Sequence, residues 1–144
     1  MRLGEQRVVA SAALTIPPWE SPQIDNLGLS QSEMDAYVDL VERITPGEQI
    51  HRVLGWPDQI QADMQLECQL VTHGLYVGDE TGFDDPRARE LARGAEDWRL
   101  LLQLDSDETI GMMWGGVGRL YWWIREAELR TRRFDASWLI LQCG

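Results

Sequence analysis

Trp114, Gly115, Gly116, Gly118 and Arg119 form the densest group of residues able to hold a ligand. Glycine-rich turns can present backbone amides to a phosphate, and Arg119 would add a positive charge. No lysine and no Ser/Thr accompanies the glycines, and strand-forming sequence follows rather than a helix. The pattern is therefore neither a P-loop nor a dinucleotide fingerprint. The plainer reading is a tight hairpin or bulge in which glycine supplies a positive φ. Asp105, Asp107 and Glu108 could hold calcium or magnesium, but Asp and Ser at a chain reversal more commonly bond their own backbone. His51, His73, Cys68 and Cys143 have no standard zinc spacing. Ser106 and Ser137 have no neighbouring histidine, so no nucleophile–base pair is in view and no catalytic residue is assigned. Cys68 falls on an apolar helix face, where thiols are inert.

The seven tryptophans could stack sugars or bases, and Trp114 and Trp123 with Arg119 are the candidates for such a site. Trp122 and Trp123 are adjacent on one strand and point to opposite faces. One belongs to the core; the other meets a second layer or marks an interaction surface. Arg125 to Arg133 is the one local basic patch, read as a solvated helix–turn or a docking surface.

The chain has 144 residues, which fits one domain able to fold without metal or disulfide. Thirteen cations face 24 acids for a net charge of −11, and every cation is arginine. An acidic surface opposes nucleic-acid and anionic-membrane binding. Lacking lysine, the sequence cannot form Schiff bases. Residues 1–72 carry net −7 and residues 73–144 net −4. Two cysteines are too few for a disulfide framework, so reduced thiols in a cytoplasmic protein are expected. No apolar run nears the roughly eighteen residues a membrane span requires. No cofactor is expected.

The elements that would position these residues read as α+β. Val8–Ile16 reads as a strand rather than a signal peptide, despite Arg2 and Arg7 before it, because Ser11 and Thr15 interrupt it. Ser30 and Glu33 form a capping box before a helix over 31–44, with Met34, Tyr37, Val38, Val41 and Ile44 on one stripe. Pro46 and Gly47 end it. Ile50–Leu54 is extended. A second helix is expected over 58–72, capped by Asp58 and closed by Gly74. Leu75–Asp85 reads as an exposed loop, and 86–93 as a short helix closed by Gly94. The antiparallel sheet falls mainly within 98–143: strands Trp98–Asp105 (covered on both faces), Met112–Trp114, Arg119–Ile124 and Ser137–Cys143, with a helical turn over Glu126–Thr131. No proline follows Pro86, which suits an uninterrupted ladder.

Four blocks, "HRVLGWPDQIQADMQLECQL", "WRLLLQLDSDE", "MMWGGVGRLYWWI" and "FDASWLILQC", resemble in order and spacing the YwqG-like family of bacterial proteins, a domain of unknown function. The family domain is longer, so the resemblance implies that this chain, as one domain, corresponds to the carboxy-terminal half. Relatives usually read W-G-D-x-G where this sequence reads Trp114-Gly115-Gly116-Val117-Gly118. The resemblance also implies a context of toxin–immunity loci. The expectation is a non-enzymatic protein-interaction module with a basic protein partner, and self-association is open. The alternatives are a small-ligand or carbohydrate binder and, last, a metal-dependent hydrolase at Asp105, Asp107 and Glu108.

Overall fold

The computed structural model describes residues 4–45, 51–79 and 81–144. Arg2, Pro46, Gly47, Ile50 and Glu80, which enter the readings above, lie outside the described residues. The order of elements is α1 (Pro22–Asp25), α2 (Gln31–Ile44), β1 (Arg52–Val53), α3 (Met64–Thr72), α4 (Thr81–Asp84), α5 (Ala88–Leu91), β2 (Trp98–Asp105), β3 (Arg119–Arg125), α6 (Glu126–Arg130) and β4 (Trp138–Gln142). The four strands form one antiparallel sheet in the order β1-β2-β3-β4. The α+β class is as the sequence indicates.

Several elements form for legible reasons. The Ser30 N–H donates to the Glu33 carboxylate at 2.9 Å and its hydroxyl to the same oxygen at 2.6 Å, so α2 starts where the capping box predicts. The five stripe residues of α2 are all half-buried, and none of the helix is fully buried. At the end of α3, Gly74 takes φ +80°. The Gly74 N–H bonds the Val71 carbonyl at 3.0 Å and the Leu75 N–H bonds the Leu70 carbonyl at 3.1 Å. That is a Schellman closure. Leu70 and Leu75 then pack together with Ala88.

The inner face of the sheet carries the main core. Trp98, Leu100, Tyr121, Trp123 and Ile140 meet Met64 and Cys68 of α3. A bulge between Leu100 and Leu102 shifts the parity of β2, so that Gln103 and Asp105 also point inward.

Six expectations need correction. Val8–Ile16 forms neither helix nor strand: it joins no ladder, because Pro17 and Pro18 follow it and the nearest edge, β1, is only two residues long. The second helix begins at Met64, not Asp58. Asp63 caps it by accepting the Leu66 N–H at 3.2 Å, and residues 58–62 are engaged by side chains of the sheet instead. The loop after α3 contains α4. The 86–93 helix begins at Ala88 and runs on as a 3₁₀ helix over Ala92–Asp97. Gly94 sits within that helix, where a Cβ would overlap the Gln69 amide. Met112–Trp114 is not a strand: Met112 makes a single bridge to Asp107, each N–H bonding the other's carbonyl. Finally, β2 is well covered on one face only.

Candidate functional site

Five inward polar side chains of the sheet converge on the segment from Trp56 to Ala62. Arg119 donates from one guanidinium nitrogen to both the carbonyl and the carboxylate of Asp58, and from another to Asp105 Oδ2 at 2.8 Å. The Tyr121 hydroxyl donates to the Asp58 carbonyl at 2.8 Å. The Asp58 N–H donates to Gln103 Oε1 at 2.9 Å. Gln142 Oε1 accepts from the N–H groups of Ile60 and Gln61 at 2.9 and 3.0 Å, while its Nε2 donates to the Ala62 carbonyl at 3.0 Å. Beside them, Arg52 donates to the Trp56 carbonyl. An irregular segment is thus laid across a sheet with its backbone groups satisfied by side chains. Burial raises the Tyr121 phenol to about 12, against a smaller opposing pull from Arg119, so it stays protonated and able to donate. Burial also lowers Arg52, partly offset by Asp58.

The glycine block closes one end of this network. Gly115 has φ +56° and an added Cβ would lie 2.7 Å from Cys143 Sγ. Gly118 has no room for a side chain: a Cβ would lie 2.5 Å from the Gln142 carbonyl and 2.7 Å from that of Trp114. The Gly118 amide already donates to the Trp114 carbonyl at 2.6 Å, and its carbonyl accepts from the Ser106 hydroxyl at 2.7 Å. Gly116 faces open space. Trp114 is half-buried, its indole N–H on the Asp105 carbonyl at 3.2 Å.

Asp105 turns inward to Arg119, whereas Asp107 caps the next turn by accepting the Thr109 N–H and hydroxyl at 2.9 and 2.6 Å. Glu108 lies in that 3₁₀ turn. Among the described residues no three His, Cys, Asp or Glu side chains gather as a metal site requires. Cys68 and Cys143 are both free thiols, and burial pushes Cys68 well up from its ordinary value. His51 Nδ1 accepts the Asp105 N–H at 3.2 Å, and His73 Nδ1 meets the Gln69 carbonyl at 2.6 Å. In the basic segment Arg130 pairs with Glu126 at 2.8 Å, and Arg125 stacks 4.8 Å from the Trp98 ring.

Two cavities flank the fold. One, of about 550 Å³, lies between α2 and the Trp56–Ala62 segment, with Arg52 and Asp58 in its wall. The other, of about 510 Å³, is walled by Trp56, Trp98 and Trp123; neither Trp114 nor Arg119 lines it. Trp123 is 2% exposed, and its indole N–H has no acceptor among the described residues.

The outer face of the sheet is of a different character. Cross-strand pairing aligns Val53, Leu102, Trp122 and Leu139 in one row and Leu104, Leu120 and Leu141 in the next. At one end α6 and the Phe134–Ala136 turn lie over β3, where Ile124 is buried. Beyond that the face is open among the described residues. Val53 is 72% exposed, Leu139 47% and Leu141 48%, and Trp122 is half-buried. No polar side chain interrupts the two rows. The sequence reading missed both this face and the inward cluster of Asp58, Gln103, Tyr121 and Gln142. The available signals were glutamines at inward positions of apolar strands and apolar residues on both parities of β2 and β4.

The chain matches the family described as "Domain of unknown function (DUF1963)" over residues 5–143. Comparison with curated proteins gives no match. With that match spanning nearly its whole length, the chain belongs to the family described as domain of unknown function, DUF1963.

Proposed function

We propose that this chain is a non-enzymatic protein-interaction module of YwqG-like type, corresponding as a single domain to the carboxy-terminal half of the longer family architecture and acting in the cytoplasm in an immunity-type role toward a basic protein partner. The observation that carries this reading is the outer sheet face. Two uninterrupted apolar rows, one across four strands and one across three, leave Val53 mostly and Leu139 and Leu141 nearly half in water. By strand spacing and rise the patch covers roughly 300–400 Å², the size at which exposed apolar surface on a monomer usually has a use. The net charge of −11 supports a cationic partner, because long-range attraction raises encounter rates with basic proteins and repels acidic ones. The inward polar cluster supports a structural role for Arg119 and Asp105 rather than a catalytic one, since their groups are spent on holding residues 56–62.

The test is a pull-down from the native host at low and high salt with the chain and its Trp122→Glu and Leu139→Glu variants. A basic protein held by the unsubstituted chain, lost from both variants and weakened by salt, is the expected result. Equal recovery by all three, or no partner for any, removes the reading.

A second reading, a small polar ligand such as a sugar, is favoured by the aromatic walls of the 510 Å³ cavity. A ligand held at a hundredfold over its Kd adds about 2.7 kcal/mol of stability. A thermal-shift screen of sugars and nucleotides with no response, in a chain whose Trp123 is intact, removes it.

A further inference from the structure

Residues 7–16 behave as a strand in sequence and as an orphan in the fold. From Val8 to Ile16 there is no charge, glycine or proline. Val8, Ala10, Ala12, Leu14 and Ile16 share one parity, and Val9, Ser11, Ala13 and Thr15 the other. Such a segment has a pairing tendency and no gatekeeper residue within it, Arg7 and Pro17 standing only at its ends. Its backbone is neither helical nor in a ladder, and among the described residues the N–H and C=O groups of 8–14 have no backbone partner. Val8 is 86% exposed, Val9 84% and Leu14 73%. The arm is nevertheless pinned at its base. The Thr15 hydroxyl oxygen accepts the Trp56 N–H at 3.0 Å, and the Pro17 carbonyl accepts the Tyr37 hydroxyl at 2.8 Å.

The sheet offers one edge of matching length. Its two edges are β1, two residues long, and β4, five residues long. Natural edges are blunted by proline, charge or a bulge; β4, Trp-Leu-Ile-Leu-Gln, has none of these. An added strand beside it would continue the apolar rows past Leu139 and Leu141. The arm cannot easily serve its own β4. Thr15 is fixed against Gly55, just after β1, on the far side of the sheet. Crossing three strand spacings, about 14 Å, would consume about four of the arm's residues. A second copy imposes no such detour.

We propose that residues 7–16 of one copy add as a strand to the β4 edge of a second copy, and that the exchange is reciprocal, closing a two-fold dimer. The inference needs only the β4 edge backbone and the arm; it shares Leu139 and Leu141 with the partner reading above, and Trp122→Glu, which leaves that edge intact, separates the two.

Sedimentation velocity over a range of concentrations tests it. The whole chain is expected to show a species of twice the chain mass. Deletion of residues 4–13, and separately the exposed-edge variant Leu139→Lys with Leu141→Lys, should return it to monomer with the folded circular-dichroism spectrum kept. Trp122→Glu, which leaves the edge backbone intact, should retain the dimer. As a second readout, a labelled peptide of residues 6–16 should gain fluorescence anisotropy on the arm-deleted chain and less on the whole chain, whose edges are occupied. A whole chain that stays monomeric at every concentration overturns the proposal. So does a dimer that survives arm deletion but is lost with Trp122→Glu, which would mean packing through the open face. A peptide that fails to bind the arm-deleted chain also overturns it.

Discussion

Replacing Arg119 by methionine should be among the most damaging single changes in the chain, and the structure sets the size. The Arg119 side chain is 12% exposed and lies between Asp105, also 12%, and Asp58, 28%. Methionine keeps the apolar stem but removes the countercharge. Asp105 keeps the Ser106 N–H on Oδ1 at 2.9 Å yet must hold its charge in a mostly buried place. Breaking one member of a buried pair costs about 3–5 kcal/mol. The partial exposure of Asp58 and the Arg119 Nε, which is buried without an acceptor among the described residues, argue for the lower end, about 3 kcal/mol. At a urea slope of roughly 1–3 kcal/mol per molar, the midpoint should fall by about 1–3 M. Adding Asp105→Asn to the variant removes the stranded charge and should recover about 1 kcal/mol or more, which a double-mutant cycle reads directly. Amide exchange should quicken first at Ile60 and Gln61, because losing the Asp58 anchor loosens their segment. The internal control is Arg87, whose pair with Asp85 at 3.0 Å is largely solvent-exposed; Arg87→Met should leave the urea midpoint nearly unchanged. If Arg119→Met costs under about 1 kcal/mol, as an exposed pair would, the guanidinium does not organise the inner face and the argument fails.

Gly118→Ala forces a methyl to within 2.5 Å of a backbone carbonyl and should cost about 1–3 kcal/mol, whereas Gly116→Ala, with open space around it, should be close to neutral by thermal denaturation. In the native state a thiol reagent should label Cys143, which is half-buried, and spare Cys68, fully buried with its ionisation suppressed; denaturant should make the two equal. Asp63 is held above its ordinary carboxyl value, chiefly by burial, so the folded state binds its proton more readily than the unfolded one. Its contribution to stability is therefore fully present below the unfolded value of 3.8 and is lost as pH rises from there through the higher folded value. Asp63→Asn keeps an acceptor for the Leu66 N–H and should flatten that decline in pH-resolved urea titrations; an unchanged slope would refute the assignment.

How much of this was legible in the sequence follows from the range of the forces involved. The start of α2 is set by a capping box contained within four residues, and the end of α3 by a glycine that relieves a left-handed turn. Both signals are local, and both elements end where the sequence indicates. The three long strands announce themselves by apolar runs without proline. Asp58 misled because its local context, Asp followed by Gln61, is that of a helix cap, whereas Arg119 lies 61 residues away and wins. A charged, partly buried bond outweighs an exposed cap worth about 1 kcal/mol. The arm misled for the opposite reason: strand propensity is a preference for a paired, half-buried surface, and the fold supplies no partner for it.

The same comparison separates two kinds of residue that look alike in sequence. Trp122 and Trp123 are neighbours, yet Trp123 is sealed against α3 while Trp122 joins an open apolar row, and only sheet register distinguishes them. Glutamine at positions 103 and 142 breaks the apolar pattern of its strand, and in both cases the departure marks the inward face, where an irregular segment needs donors and acceptors. Polar residues set among the core of the covered face, and apolar rows on the open one, are local inversions of the usual order of a one-sided sheet. The inner inversion is accounted for within the chain, by residues 56–62. The outer inversion has no counterpart among the described residues, so the two rows around Trp122 are where a binding partner would cover apolar surface that the chain's described residues leave open.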